Sequence, residues 1–295
     1  MKAVAFTEFG GPEVLRVLDL PEPHAGPGQV RVRVKAAGVQ PYDAAVRAGW
    51  EPPGLTLTWP RVPGNEFAGV VDEGDLEPGT EVLGFTAVQA AAEYIVVPVT
   101  DVTPKPPEMP WAVAGGFTAG PQTASIALEA LKLREGETLL VHAAAGSVGT
   151  AAVQLAKLQG AKVVGTASEA NQDYLRELGA TPVVYGEGLN ERLAPLGIDV
   201  VLDGAGGAAL DLSLELVKDR KRILTLVDHG RAADLGVLVS KSGRSAARLA
   251  ALAALYAKGA LRFHVRRAYP FTEAVAAHRE IETGHGRGKI VLMFD

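Results

Sequence analysis

The chain of 295 residues contains no cysteine. Disulfides, cysteine-held zinc, iron–sulfur clusters and thiol nucleophiles are therefore outside its chemistry. Basic residues are not in excess, with 29 Lys plus Arg against 34 Asp plus Glu and a formal net charge of -5, so the footprint of a nucleic-acid binder is missing. Long apolar runs are missing too. The most apolar helical stretch, 246–257, contains Arg248 and falls short of the roughly 20 residues that cross a bilayer. The opening Met-Lys-Ala-Val-Ala-Phe leads into no apolar segment with a small-residue cleavage site. A cytoplasmic address without membrane or nucleic-acid partners is the expectation by elimination. What is present, 47% apolar and 21% charged residues, is the composition of a folded protein, at a length that suits about two domains.

The first hundred residues read as strands and turns. Val30-Arg31-Val32-Arg33-Val34-Lys35 alternates with period 2 between Pro/Gly punctuation, and apolar runs recur at Val70-Val71, Val82-Leu83 and Tyr94-Ile95-Val96-Val97. The proline-rich segment 104–110 marks a boundary. Beyond it, short buried-strand patterns at Leu139-Leu140-Val141, 162–165, 182–185, 199–202 and 222–226 alternate with helical spacing at 148–156, 174–178 and 210–217. Such β-α-β-α repetition predicts an α/β fold with a doubly wound parallel sheet.

Between the first of these strands and its helix stands His142-Ala143-Ala144-Ala145-Gly146-Ser147-Val148-Gly149. Ala144-x-Gly146-x-x-Gly149 is the dinucleotide fingerprint with alanine in its first slot. Small residues there allow a tight turn, backbone approach to a diphosphate and close helix packing, and the N–H groups at the helix start, with Ser147 and Val148, receive the phosphates. At the end of the next strand, where an acid would hold the ribose of NAD, the chain reads Gly165-Thr166-Ala167-Ser168-Glu169. Ala167 and Ser168 in that place favour NADPH. NADH is not excluded, because a strand two residues longer puts Glu169 there, and no Lys or Arg follows before Arg176. Tyr185 either contacts the phosphate or caps the sheet edge.

Several stretches together resemble the medium-chain dehydrogenase/reductase superfamily, in its zinc-free quinone oxidoreductase branch. They are Ala37-Gly38-Val39-Gln40-Pro41-Tyr42-Asp43, Pro63-Gly64-Asn65-Glu66-Phe67-Ala68-Gly69-Val70-Val71, the glycine loop, Ala92-Glu93-Tyr94 and Gly288-Lys289-Ile290-Val291-Leu292. The resemblance implies a GroES-like β domain at 1–108, completed by 260–295, around an inserted Rossmann domain at 109–259. The alternation of Leu261-Arg262-Phe263-His264-Val265 reads as the returning strand.

In the zinc-bearing relatives the first two motifs supply a cysteine and a histidine to the metal, whereas this chain has Gln40 and Asn65. Amides are poor zinc ligands, and the six histidines show no ligand spacing, so no zinc is expected. The resemblance then implies hydride transfer from the nicotinamide to a conjugated small-molecule acceptor, a quinone or an α,β-unsaturated carbonyl. Gln40 and Asn65 either donate to its oxygen or merely bond to each other. Tyr42 and Trp50 either line the acceptor site or pack the β domain. Thr123, in Thr123-Ala124-Ser125-Ile126-Ala127-Leu128, is a candidate contact to nicotinamide or substrate. Asn171 stands where relatives preferring NADPH carry a basic residue, a cofactor-side position it can serve only as a neutral partner. A pathway-specific enoyl reductase and a non-catalytic, crystallin-like NADPH binder are the alternatives. A homodimer is implied through the edge of the nucleotide sheet, at Arg222–Leu226 and the stretch 234–245.

Overall fold

The computed structural model describes residues 1–52, 54–240 and 243–295. It divides into two compact units: Met1–Ala119 with Ser245–Ala257 and His264–Asp295, and Gly120–Arg244 with Lys258–Phe263. These bounds depart from the expected ones. The first unit runs on past residue 108 and takes in 245–257, because the helices there bury their apolar faces in it, with Tyr256 edge-on to Phe117 at 5.7 Å.

Along the first unit come strands β1 (Lys2–Ala5), β2 (Arg16–Asp19) and β3 (Gln29–Val39), helix α1 (Pro41–Arg47), then β4 (Glu66–Gly74), β5 (Glu81–Phe85), β6 (Tyr94–Pro98), β7 (Val102–Pro104) and helix α2 (Trp111–Phe117). Helix α3 (Ala119–Ala130) follows. The second unit holds β8 (Thr138–Val141), α4 (Ser147–Leu158), β9 (Lys162–Ala167), α5 (Gln172–Glu177), β10 (Thr181–Val184), α6 (Leu189–Leu193), β11 (Val200–Asp203), α7 (Ala208–Leu216), β12 (Ile223–Thr225), α8 (His229–Leu235) and β13 (Leu238–Val239). The chain then supplies α9 (Ala246–Ala257), β14 (Val265–Pro270), α10 (Ala274–Glu282) and β15 (Lys289–Met293) to the first unit.

The first unit's large sheet has the order β14-β15-β3-β4-β5-β7, with β6 also paired to β3. The burial of β3 explains the site that follows. Val30, Val32 and Val34 point into the core while Arg31 and Arg33 do not, but from Ala36 to Val39 every residue is buried. That end of the strand lies between β4 and β15, under α2.

The second unit's sheet is parallel throughout, in the order β10-β9-β8-β11-β12-β13. Counted from β8 this is the 3-2-1-4-5-6 order of dinucleotide-binding sheets, whose ligands lie beyond the carboxyl ends of the strands. β8 is buried at all four residues, as its unbroken apolar run requires.

Two expectations are corrected. Residues 261–264 are not a strand, which begins only at Val265: the Gln154 side chain takes both backbone groups of Arg262, donating to its carbonyl at 2.9 Å and accepting from its N–H at 2.7 Å. Those groups are thereby removed from any ladder. The strand within 222–226 is not an edge, since β12 lies between β11 and β13; the half-buried β13 is the edge on that side and β10 the edge on the other. Lys241 and Ser242 of the stretch 234–245 lie outside the described residues. Among the described residues no helix is long and apolar enough to cross a membrane.

Candidate functional site

In the first unit the site is built where β3 gives way to α1. Sheet register pairs Val39 with Ile290 and Ala37 with Phe67, which brings Gln40 beside Lys289 and Gly38 beside Glu66. Lys289, 3% exposed, donates from Nζ to Gln40 Oε1 at 3.1 Å and forms an ion pair with the fully buried Glu66 at 2.5 Å from Oε1. The pair lies off the hydrogen-bonding direction, and the other oxygen, Glu66 Oε2, accepts from the Ala119 N–H at 2.6 Å. Gly38 makes room for this carboxylate, since a Cβ there would lie 2.2 Å from Glu66 Oε1. Gln40 Nε2 in turn donates to Asn65 Oδ1.

Asp43 fixes the geometry from below. Its Oδ2 accepts from the Gln40 N–H and its Oδ1 from the Gly64 N–H, both at 3.0 Å, so one side chain ties the start of α1 to the loop before β4. Burial pushes its carboxyl up to about 7, against the pull of the Lys289 charge and of the two N–H bonds.

Tyr42 is half-buried and meets Trp50, 45% exposed, edge to face at 5.3 Å. A cavity of about 200 Å³ is lined by Val46, Leu55, Leu57, Arg61, Thr86 and Val88, and reaches the site only through Thr86, whose N–H donates to the Asn65 backbone carbonyl. Thr123 sits half-buried on α3 within the second unit.

In the second unit β8 leads through a turn, with Ala143 at φ +56°, to Gly146 and the start of α4. At Gly149 a Cβ would lie 2.4 Å from the Ala143 carbonyl oxygen and 2.6 Å from Ala144 Cα, so the turn can pass this close to the helix only over glycine. Ala144 is buried, and its N–H donates to the Thr166 carbonyl at 3.0 Å, which sets the glycine loop beside the end of β9. Val148 follows Ser147 in the first turn of α4. At the end of β9 the structure gathers the remaining expected residues. Asn171 donates to Ser168 Oγ at 3.1 Å, and the Tyr185 N–H donates to the Ala167 carbonyl at 3.3 Å, its ring 47% exposed. β9 ends at Ala167, so Glu169 is beyond the strand, exposed in a single helical turn.

These residues fit a dinucleotide. The first N–H groups of α4 have no partner within the helix, and the buried Ser147 hydroxyl beside them has none either. His142 stiffens the floor between Thr166 Oγ1 at 3.0 Å and Ser213 Oγ at 3.2 Å, and burial lowers its imidazole to about 4, so it is neutral there.

A zinc ion does not fit the first unit's site. Its two amides are bonded to each other and an ammonium already sits against Gln40. Among the described residues no group of three or more His, Cys, Asp or Glu side chains is arranged to hold a metal.

Lys289, Glu66 and Asp43 stand in the sequence motifs, but their residue types alone assign them no role. The available signal was a charged residue at the head of an otherwise apolar strand, Glu66 before Phe67-Ala68-Gly69 and Lys289 before Ile290-Val291-Leu292.

Comparison with known proteins agrees with this architecture. Residues 26–107 match the alcohol dehydrogenase GroES-like domain family and residues 178–292 the zinc-binding dehydrogenase family. The chain is 35% identical over 297 residues to part of a spectinabilin polyketide synthase system protein, NorB, of Streptomyces orinoci, covering 90% of this chain and 13% of that protein. It is 29% identical to the quinone oxidoreductase of Mus musculus over 99% of this chain and 98% of the relative. The solved quinone oxidoreductase of Coxiella burnetii superposes with a TM-score of 0.89 at 28% identity, covering 100% of this chain and 99% of that one. With the parallel nucleotide-binding sheet, the β unit and these relatives in view, the chain belongs to the medium-chain dehydrogenase/reductase superfamily, in its quinone oxidoreductase branch.

Proposed function

We propose that the protein is a zinc-independent reductase that uses NADPH to reduce quinones or α,β-unsaturated carbonyl compounds. The observation that carries this reading is the hydrogen-bonded pair Gln40–Asn65, held by an ammonium at the place where zinc-bearing relatives keep their metal. Without a Lewis acid, removing the proton from an alcohol is slow, whereas a conjugated acceptor accepts a hydride readily and leaves an oxyanion that hydrogen-bond donors stabilise. Bound NADPH supplies the hydride.

The chain's own residues do the rest. The first turn of α4 and Ser147 hold the diphosphate, and the absence of an acid at Ala167 and Ser168 leaves room for a 2′-phosphate. Carboxamide donors of the Gln40–Asn65 pair hold the acceptor's oxygen, and Tyr42 with Trp50 offers an aromatic edge to a planar acceptor. The final proton comes from water.

The test is anaerobic oxidation of NADPH, with NADH in parallel, against a panel of quinones and 2-enones. Turnover with at least one acceptor and tighter binding of NADPH than NADH in a fluorescence titration are expected. No turnover with any acceptor overturns the proposal in favour of a nucleotide-binding protein. The 35% identity to part of a polyketide synthase system protein favours a second reading, a dedicated reductase of enoyl thioesters. Enoyl thioesters turned over far faster than the free enones would select it.

A further inference from the structure

The parallel sheet of the second unit ends in a row of polar side chains. Its ladder pairs Val141 with Gly165 on one side and with Leu202 on the other, so the next row across the four central strands holds Thr166, His142, Asp203 and Thr225, all buried. On the two edge strands the same row holds Val183 and Val239. The polar row is thus confined to the strands on either side of the β8–β11 switch, outside whose carboxyl ends a dinucleotide lies. It falls into two bonded pairs. His142 with Thr166 belongs to the half that carries the glycine loop and the end of β9, and Asp203 with Thr225 belongs to the other half.

Both oxygens of Asp203 are taken. Oδ1 accepts from the N–H groups of Ala205 and Gly206, each at 2.9 Å, and Oδ2 accepts from Thr225 Oγ1 at 2.8 Å. Thr225 Oγ1 accepts in turn from the N–H groups of Val227 at 3.2 Å and Asp228 at 3.0 Å. A hydroxyl has one proton and two lone pairs, and here each has a use. Two side chains thereby tie the turn after β11 to the turn after β12. The turns also touch: a Cβ on Gly206, at φ +71°, would lie 3.3 Å from Val227 Cγ1. Val227 is 55% exposed although β12 before it is wholly buried.

We infer that Asp203, acting through Thr225, is a positioning residue that shapes the surface on which the nicotinamide end of the dinucleotide rests. The inference depends on the proposed reading of the second unit as a dinucleotide site. With the diphosphate at the start of α4 and the adenosine ribose at the end of β9, the remaining nucleotide falls to the tied turns after β11 and β12. Val227 offers the planar ring an apolar contact there, and the carboxylate keeps both turns in place without touching the ligand.

Asp203→Asn keeps the shape of the side chain and changes its chemistry. Whichever way the amide faces, its NH2 meets either two N–H groups or a hydroxyl whose lone pairs are already used. The test compares NADPH with 2′-phospho-ADP-ribose, which lacks only the nicotinamide, by titration calorimetry; NADH and ADP-ribose take their place if the wild type binds NADH more tightly. In Asp203→Asn and in Thr225→Val the affinity for the cofactor is expected to fall about tenfold, while that for the fragment changes by less than about twofold. Thr225→Ser keeps the hydroxyl and is expected to restore the wild-type ratio of the two affinities. Equal losses for cofactor and fragment in a folded variant overturn the inference, as do unchanged affinities. A second readout needs no variant: in the 15N-labelled wild type the amide resonances of Gly206 and Val227 are expected to shift with the cofactor and to stay in place with the fragment, and equal shifts with both overturn the inference. A wild type that binds the cofactor but turns over no acceptor overturns the proposed reductase alone, whereas one that binds neither cofactor nor fragment overturns both.

Discussion

Arg47 at the end of α1 donates from Nη1 to His278 Nδ1 on α10, 3.0 Å away and 231 positions later in the chain. The guanidinium is 1% exposed, and its other donors reach the Gly10 carbonyl at 3.0 Å and Glu282. The helix that begins with the candidate site is thus pinned at its far end by a buried cation. Arg47→Ala strands these three acceptors, and a loss of about 3–5 kcal/mol in unfolding free energy is expected, measured by urea denaturation.

His278 is the acceptor of that bond and must be neutral. Burial first, and then the Arg47 charge, holds its imidazole down to about 3, against its ordinary 6.5. Between those values the unfolded chain binds a proton that the folded one does not, so this contribution is present above 6.5 and is lost as pH falls toward 3. His278→Gln should flatten the fall in stability between about pH 7 and about pH 5, read as urea midpoints.

Asp43 has the opposite sign. Its folded carboxyl keeps a proton up to about 7, whereas the unfolded one releases it near 3.8, so its contribution is present at low pH and lost as pH rises through 7. It partly offsets His278 on acidification. In Asp43→Asn the loss of stability from about pH 7 to about pH 5 should be steeper than in the wild type, and an unchanged slope would show that burial does not govern this carboxyl.

Gly149→Ala places a methyl 2.4 Å from the Ala143 carbonyl oxygen and forces the glycine loop off α4. Overpacking of this kind costs about 1–3 kcal/mol, and because the displaced backbone is the proposed diphosphate cradle, NADPH affinity should drop by about tenfold or more in a fluorescence titration.

Metal removal is expected to do nothing. Dialysis against a chelator should leave acceptor-dependent turnover unchanged, and zinc added back should bind below stoichiometry by emission spectrometry, since two amides and an ammonium are no zinc donor set.

The alternation along β3 and the unbroken run of β8 were legible because period and burial are written in side-chain type. The glycine loop was legible because Gly149 leaves no room for anything else. Residues 261–264 misled for a different reason: an alternating pattern reports which side chains are buried, but here Gln154, distant in sequence, claims the backbone that a strand would need. The ion pair of Lys289 and Glu66 was hidden in a similar way, since two charges 223 positions apart become partners only through the register of β15 and β4 against β3. Gln40 and Asn65 are legible as residue types, while their contact with each other and that of Gln40 with Lys289 appear only once the strands are in register.

The change of burial along β3 has a practical reading. Its first half alternates the buried Val30, Val32 and Val34 with Arg31, Arg33 and Lys35, so substitution is tolerated there only at the outward positions, of which Arg31 is held by Asp72 and Glu73, and its last four residues, Ala36 to Val39, admit almost none. One strand therefore carries a gradient of tolerance that steepens toward the site. A random library spread evenly over it should lose its functional members at the end nearer Gln40.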